Sequence, residues 1–357
     1  MNQEICLTEE QQDVIDGLLQ FENKITSIGG WAGAGKTTVI SHLHKILPTY
    51  AICAFTGKAA HVLRQKGIDT ASTIHSLIYK PLLDSVGNII LDKHGSPIFR
   101  LADFLAFDGI IVDEASMVSK TIYQDLCSFG LPIIFVGDHG QLEPVGESMK
   151  LMMNPDFRLE KIHRNAGEIA HFAQHIRMGY PATSFRSTEG KVIFIKNYEL
   201  NNYIDEVDQI ICAFNKTRVA INRKVRYRKE FKADWPVVGD KIMCLKNHKK
   251  IGVFNGMQGH ITSLSGKFKN QIEFTSNEMV YNVFFDPEQF NKEKCNFQGS
   301  QDDPLPFDYG YCITAHKSQG DEWANVMVIE QQCKHWDHTR WAYTAASRAK
   351  KHVIWVS

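Results

Sequence analysis

The sequence of 357 residues lacks several features that assign a class of protein at once. None of its 8 cysteines forms a CxxC pair, so we do not expect a zinc ribbon, and their scattered positions favour reduced thiols. No apolar run approaches the ~18 residues of a membrane span. The first residues, MNQEICLTEEQQ, lack the basic and apolar pattern of a signal peptide. We therefore expect an intracellular protein without a membrane partner.

An excess of charge of one sign is also missing, because Lys+Arg and Asp+Glu both number 40. Nucleic-acid-binding proteins often carry a basic surplus. The balance therefore argues mildly against nucleic acid as a partner, although it leaves room for a local basic groove. There are neither internal repeats nor low-complexity segments. Hydrophobic residues make up 43%, and the length, at roughly 100–200 residues per domain, indicates two globular domains.

Short apolar runs alternate with helix-like segments along most of the chain. The runs KITSIGG, YAICAFT, GIIVDEAS and PIIFVGD are typical of buried strands in a parallel sheet covered by helices. Two β-rich insertions interrupt this α/β pattern: a hairpin with two turn signals and a small barrel. We assign residues 1–76 and 107–150 to the first domain, 77–106 to the hairpin, 151–235 and 306–357 to the second domain, and 236–305 to the barrel.

The segment GWAGAGKTT fits the phosphate-binding pattern GxxxxGK[ST] and stands between a strand and a helix. Its glycines let backbone N–H groups surround a phosphate, and the helix adds the positive end of its dipole. We expect Lys36 to reach the β- and γ-phosphates and the Thr37 hydroxyl to bind Mg²⁺. The sequence therefore predicts an ATP site with Mg²⁺ that includes Gly30, Gly33, Gly35, Lys36, Thr37 and Thr38.

Two later segments supply polar groups for the same chemistry. The strand IIVDEAS ends in carboxylates, of which Asp113 is expected to hold Mg²⁺, directly or through water, and Glu114 to act as the general base. Gln141 in FVGDHGQLEPV is expected to sense the γ-phosphate. Gln11, ahead of the first helix, is a candidate to hydrogen-bond adenine, with Gln12 as the alternative; this assignment depends mostly on the family resemblance described below.

The remaining motifs extend this pattern over nearly the whole chain. In order they are LTEEQ, GWAGAGKTT, AFTGKAA, ASTIHSL, IIVDEAS, VGDHGQLEPV, LEKIHRN, AFNKTRVAIN, YGYCITAHKSQGDEW and YTAASRAKK. This order resembles the RecD/Dda-like group of superfamily 1B DNA helicases, for which ITAHKSQG followed by TAASRA is especially specific. The resemblance implies two RecA-like domains with ATP between them, an SH3-like barrel insertion, and ATP-driven 5′→3′ movement on single-stranded DNA.

The resemblance also implies further site residues. Arg164 in IHRN and Arg348 in ASRA match two arginines that reach ATP from the second domain, where a guanidinium stabilises phosphoryl charge. Gly320 and Glu322 complete the expected ATP site. The expected strand contacts, whose hydroxyls, amides and lysines suit phosphate oxygens, are Thr56, Lys58, Ser72, Thr73, His75, Asn215, Lys216, Thr217, Thr314, His316, Lys317, Ser318 and Gln319.

Other assignments stay open between two interpretations. His75 and His316 are either strand contacts or core histidines that hydrogen-bond the backbone. The basic run from Arg218 to Lys232 either touches DNA or forms a solvated helix face. In the hairpin, Phe99, Ile89 and Ile90 are candidates for the wedge that caps the last base pair, although an apolar hairpin also packs on its own domain.

The expected partners are single-stranded DNA and forked duplex DNA, with a single-strand-binding or replication protein as a further candidate. We expect a monomer in the cytoplasm of a bacterial or phage-infected cell, acting in DNA replication or repair. From the short insertions and the position of the last motif, we expect a near-minimal member of the group without a nuclease domain. The alternatives are a translocase that strips proteins without efficient unwinding, an RNA-directed enzyme, and a P-loop kinase or switch NTPase.

Overall fold

The computed structural model describes residues 7–21, 23–90, 98–142, 151–161, 167–246, 248, 253, 255–265, 270–276, 279–295 and 304–357. The chain divides into two compact units. One comprises Met1–Pro81 and Phe99–Ser184, and the other comprises Leu82–Ile98 and Phe185–Ser357. Within the described ranges, every helix is too short or too polar to span a lipid bilayer.

A parallel sheet of six strands is the frame of the first unit. The strands are β1 (Ile25–Gly30), β2 (Tyr50–Ala54), β3 (Ser72–Thr73), β6 (Gly109–Asp113), β7 (Ile133–Gly137) and β8 (Phe157–Leu159). They lie in the order β3-β2-β6-β7-β1-β8. The helices of this unit are α1 (Glu9–Leu19), α2 (Lys36–Ile46), α3 (Gly57–Gln65), α4 (Ile74–Ile78), α5 (Lys120–Cys127) and α6 (Gly167–Arg177).

The central strands of this sheet are buried on both faces, which explains why they are continuous apolar runs. On β6, Ile111 packs into a cluster that includes Val39 of α2. Its neighbours Ile110 and Val112 pack into a second cluster that includes Ile122 of α5. Helices therefore cover both faces of the sheet, and the predicted α/β class is confirmed for this unit.

Two short antiparallel strands, β4 (Tyr79–Pro81) and β5 (Phe99–Leu101), confirm the predicted hairpin. Asp84 closes a turn within it, because its Oδ1 accepts the N–H groups of Asn88 at 2.8 Å and Val86 at 2.9 Å. These hydrogen bonds hold the pKa of Asp84 below its usual value. Residues 91–97 of the predicted hairpin lie outside the described residues.

The second unit contains a parallel sheet and a closed barrel, as predicted. The sheet strands are β9 (Val192–Ile195), β10 (Gln209–Cys212), β16 (Cys312–Thr314), β17 (Trp323–Ile329) and β18 (Ala349–Val356), in the order β16-β10-β17-β18-β9. The helices are α7 (Leu200–Tyr203), α8 (Asn215–Arg228) and α9 (His338–Ala346). The barrel strands are β11 (Lys241–Cys244), β12 (Gln258–Ser265), β13 (Gln271–Ser276), β14 (Met279–Asp286) and β15 (Leu305–Tyr309).

Two of the expected boundaries differ from the structure. We expected the second domain to begin at residue 151, but β8 pairs in parallel with β1, with Ile28 opposite Phe157. The first unit therefore continues through Ser184 and includes α6. The barrel was expected to end at residue 305, whereas β15 begins there and pairs with β11 up to Tyr309. Pairing between segments distant in sequence decides both boundaries, and local composition does not reveal it.

Two buried arginines of α8 connect this helix to the barrel. Arg226 Nε donates to Asp240 Oδ1 at 3.0 Å, its remaining nitrogens donate to two backbone carbonyls at 2.8 Å, and its guanidinium lies 4.2 Å from the ring centroid of Tyr309. Arg218 pairs with Asp308 of β15, and both side chains are buried. Arg218 and Arg226 are buried and cannot contact DNA. For these two arginines, the interpretation of the basic run as a DNA contact is wrong.

We expect Arg226→Ala to lower the free energy of unfolding by about 3–5 kcal/mol, because removing one partner leaves the Asp240 carboxylate buried and uncompensated. Urea unfolding followed by circular dichroism measures the change. Arg223→Ala is the matched control, since Arg223 is exposed on the same helix and surface changes stay within about 0.5 kcal/mol. Equal losses in the two variants would contradict an anchoring role for Arg226.

Candidate functional site

The loop between β1 and α2 has the geometry of a phosphate-binding loop. Gly33 and Gly35 have φ angles of 81° and 80°, in the left-handed region that favours glycine. A Cβ at Gly30 would lie 2.8 Å from Cγ of Lys36, so a larger residue does not fit there. Gly35 caps α2 without a side-chain hydrogen bond. The first N–H groups of α2 therefore have no side-chain acceptor, and they lie at the positive end of the helix dipole. This arrangement suits the binding of an anion.

Lys36 is held against its own loop and against the loop after β7. Its Nζ donates to the carbonyl oxygens of Gly30 at 2.8 Å and Trp31 at 3.1 Å. The same nitrogen lies 3.7 Å from Oδ2 of Asp138, whose side chain is fully buried. The ammonium group of Lys36 is therefore placed at the phosphate loop, as the motif predicts.

Asp113 and Glu114 lie at the carboxyl end of β6. Burial raises the pKa of Asp113, while a hydrogen bond from the N–H of Glu114 and the charge of Lys36 oppose that rise. The N–H of Glu114 donates to Asp113 Oδ1 at 2.9 Å. Glu114 has a φ of 54°, which is unusual for a residue with a side chain and costs of order 1–3 kcal/mol. Such strain is concentrated at functional sites.

The loop after β7 contributes Gln141 and a residue that the motif analysis missed, Asp138. Gln141 Nε2 donates to Asp138 Oδ2 at 3.1 Å, and the N–H of Gly140 donates to Oδ1 at 2.8 Å. Both side chains are buried. The position of Asp138 directly after a buried strand is the same signal that identified Asp113. Asp138 therefore joins Lys36 and Gln141.

Gln11, rather than Gln12, lies against the phosphate loop. Gln11 Nε2 donates to the carbonyl of Ala34 at 3.2 Å, and its Oε1 accepts the N–H of Thr8 at 3.1 Å. Gln12 is exposed and donates to Asp16 at 2.8 Å. Contact with adenine stays a prediction for Gln11. Thr37 and Thr38 are partly exposed in the first turn of α2.

The residues expected to reach ATP from the second domain are only partly described. Arg164 lies outside the described residues. Arg348 is buried, and its guanidinium donates to the carbonyl oxygens of Thr344 at 3.0 Å and Asp321 at 3.3 Å. Glu322 is exposed, and Gly320 has a φ of 80°. The ATP-contacting roles of Arg348, Gly320 and Glu322 stay predictions.

The expected strand contacts of the first unit lie at the starts of α3 and α4. Thr56 and Thr73 cap these helices, because each hydroxyl accepts a backbone N–H three residues later at 3.1 Å. Lys58 and Ser72 are partly exposed. His75 is exposed and its ring centroid lies 5.3 Å from that of Tyr79, so it is not a core histidine.

At the start of α8, the expected strand contacts differ in exposure. Asn215 and Lys216 are exposed, and Asn215 Oδ1 accepts from Arg218 Nε at 3.1 Å. Thr217 is partly exposed, and its hydroxyl accepts from Gln331 Nε2 at 2.8 Å.

The last group of expected contacts follows β16: Thr314, His316, Lys317, Ser318 and Gln319. Thr314 and Gln319 are each 8% exposed, and Ser318 is fully buried with its hydroxyl donating to the carbonyl of Ala315 at 2.8 Å. The Ser318 side chain is thus turned away from solvent, and strand contact stays a prediction for all five residues. Lys317 Nζ donates to Asn255 Oδ1 at 2.8 Å. Burial lowers the pKa of both His316 and Lys317.

The wedge candidates are apolar and accessible. Phe99 is 41% exposed and Ile89 is 47% exposed, whereas Ile90 is partly buried. Val86, at the tip of the turn, is 82% exposed and was not among the candidates. A wedge role stays a prediction for Phe99, Ile89 and Ile90. Loss of unwinding with retained ATP hydrolysis in an Ile89→Ser variant would support it.

Comparison with known protein families identifies the family to which the chain belongs. Residues 6–197, more than half of the chain, match the AAA domain family, and residues 309–356 match the UvrD-like helicase C-terminal domain. The chain belongs to the AAA domain family. These two matches, together with the RecD2 and Pif1 relatives described next, confirm the resemblance to superfamily 1B helicases of the RecD/Dda-like group.

This AAA-domain chain is 24% identical over 380 residues to the ATP-dependent RecD2 DNA helicase of Deinococcus radiodurans, covering 96% of the chain but 48% of that protein. It is 22% identical over 418 residues to the RecBCD enzyme subunit RecD of Buchnera aphidicola, covering 87% and 66%. The Bacteroides Pif1 helicase in complex with ADP-AlF3 and single-stranded DNA shares the fold, with a TM-score of 0.60 at 19% identity over 99% of this chain and 92% of that one. The chain thus spans about half the length of the Deinococcus relative.

We expect Lys36→Ala to weaken the binding of ADP by roughly 10- to 100-fold, because one hydrogen bond to a charged group is lost. Titration with a fluorescent ADP derivative measures this affinity. Lys45→Ala, an exposed position in the last turn of the same helix, is the control and should bind ADP normally. Unchanged affinity in Lys36→Ala would contradict the assignment of the phosphate loop.

Proposed function

We propose that the protein is an ATP-dependent DNA helicase that moves 5′→3′ on single-stranded DNA. One observation supports the ATPase part above all: β6, β7 and β1 are neighbours in one parallel sheet. Their carboxyl ends bring Asp113, Asp138 and the phosphate loop to the same edge. This edge is where open α/β sheets bind their ligands.

The donor chemistry at this edge fits Mg²⁺, which prefers oxygen ligands and in phosphate sites takes one or two from the protein. The Thr37 hydroxyl and the Asp113 carboxylate are the groups that would hold it. When bound, the ion would neutralise charge on the phosphates. Among the described residues, no group of three or more His, Cys, Asp and Glu side chains is arranged to hold a metal. We therefore propose that nucleotide oxygens supply the other ligands.

Within this site, Glu114 is the proposed general base for the attacking water. It follows Asp113 at the strand end, and its φ of 54° gives its side chain a direction that differs from that of a residue in a regular helix or strand. Lys36 and Gln141 are proposed to contact the terminal phosphate, where charge develops during transfer. Asp138 holds these two residues in position through its contacts with both.

We expect Glu114→Gln to lower the rate of ATP hydrolysis by at least about 100-fold, the lower range for loss of general-base catalysis. ADP binding should be retained, because the amide has nearly the same shape as the carboxyl group. Phosphate release and ADP titration measure the two quantities. Glu230→Gln is the control, since Glu230 also has a positive φ, of 60°, but lies in the second unit. A Glu114→Gln enzyme with the full rate would mean that the base is another group.

The DNA part of the proposal rests on the family matches and on what the relatives are named for. The Deinococcus relative is a DNA helicase, and the Bacteroides Pif1 structure contains single-stranded DNA. In this chain, His75, Asn215 and Lys216 are exposed at helix starts, where side chains and backbone N–H groups suit sequence-independent phosphate contacts. The 5′→3′ direction follows from the likeness to the RecD group.

The deciding measurement is the ATPase rate without nucleic acid, with an unstructured DNA strand, and with the matching RNA strand. We expect DNA to raise the rate by at least about ten-fold, and RNA to have little effect. Forks with a single 5′ or 3′ tail then test direction, and only the 5′-tailed fork should be unwound. Equal stimulation by RNA would favour an RNA-directed enzyme. Stimulation without unwinding would favour a translocase, and no stimulation would leave only a P-loop NTPase.

A further inference from the structure

Trp31 occupies a position in the phosphate loop that the pattern GxxxxGK[ST] leaves unrestricted. Its indole Nε1–H donates a hydrogen bond to Nε2 of His139, and the two ring centroids are 5.8 Å apart. His139 directly follows Asp138. This side-chain pair therefore joins the phosphate loop to the loop after β7, although the two residues are far apart in sequence.

The Trp31–His139 pair completes a closed set of contacts around Lys36. The carbonyl of Trp31 accepts from Lys36 Nζ at 3.1 Å, and the same Nζ lies 3.7 Å from Asp138 Oδ2. Asp138 in turn accepts from Gln141 Nε2 at 3.1 Å. The loop that carries Asp138 and Gln141 is thus held to the phosphate loop at two points, one ionic and one aromatic.

The aromatic contact requires His139 to be an acceptor. His139 is 8% exposed, and burial lowers the pKa of its imidazole below the usual value, which favours the neutral form. Because Nε2 accepts from the indole, the neutral ring carries its proton on Nδ1. The hydrogen bond is partly buried, and its loss is costly on the His139 side, because Nε2 of this buried residue then lacks its donor.

The backbone of Trp31 does not depend on this side-chain contact. Its N–H donates to the carbonyl of Leu159 at 3.2 Å, and its carbonyl accepts the N–H of Ala34 at 3.1 Å. Removal of the indole N–H therefore leaves the path of the phosphate loop in place. The effect should fall instead on the loop after β7.

We propose that Trp31 and His139 are positioning residues that hold Asp138 and Gln141 in place for the γ-phosphate of ATP. This inference rests on the proposed ATPase function. Backbone N–H groups of the phosphate loop recognise phosphates that ADP and ATP share, whereas Gln141 is proposed to contact the γ-phosphate alone. Breaking the pair therefore weakens ATP binding selectively.

The test compares ADP and a non-hydrolysable ATP analogue by equilibrium titration of the full chain. Trp31→Phe and His139→Leu should each weaken binding of the analogue by roughly 3- to 10-fold, the range for the loss of one net hydrogen bond. ADP affinity should change by less than about two-fold. The double variant should lose no more affinity for the analogue than either single variant, because both substitutions remove the same hydrogen bond. His139→Gln keeps an acceptor and should restore most of the affinity for the analogue.

Trp235→Phe is the matched control, because the Trp235 side chain is 52% exposed, and it should bind both nucleotides normally. Equal losses for ADP and the analogue, additive losses in the double variant, or an unchanged affinity for the analogue would each overturn the positioning role. If the unmodified protein binds neither nucleotide, the proposed function fails as well. If it binds both and the variants do not discriminate between them, only the positioning inference fails.

Discussion

The register between β6, β7 and β1 is the constraint on which the candidate site depends. Ile133 of β7 pairs with Ile110 on one side and with Ile25 on the other, so the carboxyl ends of the three strands lie near one another at one edge of the sheet. Side chains alternate between the two faces of a strand, and a shift of one residue would turn Asp113 to the opposite face. The apolar residues that set this register are Ile110, Ile111 and Val112, which divide between the two core clusters. The core packing that sets the register of these strands therefore also sets the geometry of the site.

Close packing at this sheet edge also limits which residues are tolerated there. A Cβ at Gly137, the last residue of β7, would lie 2.9 Å from the backbone nitrogen of Ser116. Backbone atoms cannot move aside as the end of a flexible side chain can. Glu114, two residues before Ser116, meanwhile holds a strained φ of 54°. Strain and exclusion of side chains occur together here, as expected where the surrounding structure imposes a geometry for function.

Local order in the sequence predicted much of this fold. The phosphate loop, the Asp113–Glu114 pair, the hairpin and the barrel each arise from contiguous residues with a clear pattern. The pairing of β8 with β1 was not predicted, because a strand of three residues has no strong signal and its partner is distant. The Trp31–His139 contact was missed for the same reason. Trp31 and His139 stand at positions that their motifs leave unrestricted, and only folding brings the two rings together.

The basic run on α8 shows why residue type alone did not predict a role. Seen as sequence, its arginines and lysines form one charged helix face, but the structure divides them by direction. Arg226 serves three acceptors at once, which a planar guanidinium does and a lysine ammonium does less well. The inward positions thus hold the barrel, while Arg223 and the helix start at Lys216 stay exposed. The same helix therefore carries the arginines that bind the barrel and, at its start, the predicted strand contacts at Asn215 and Lys216.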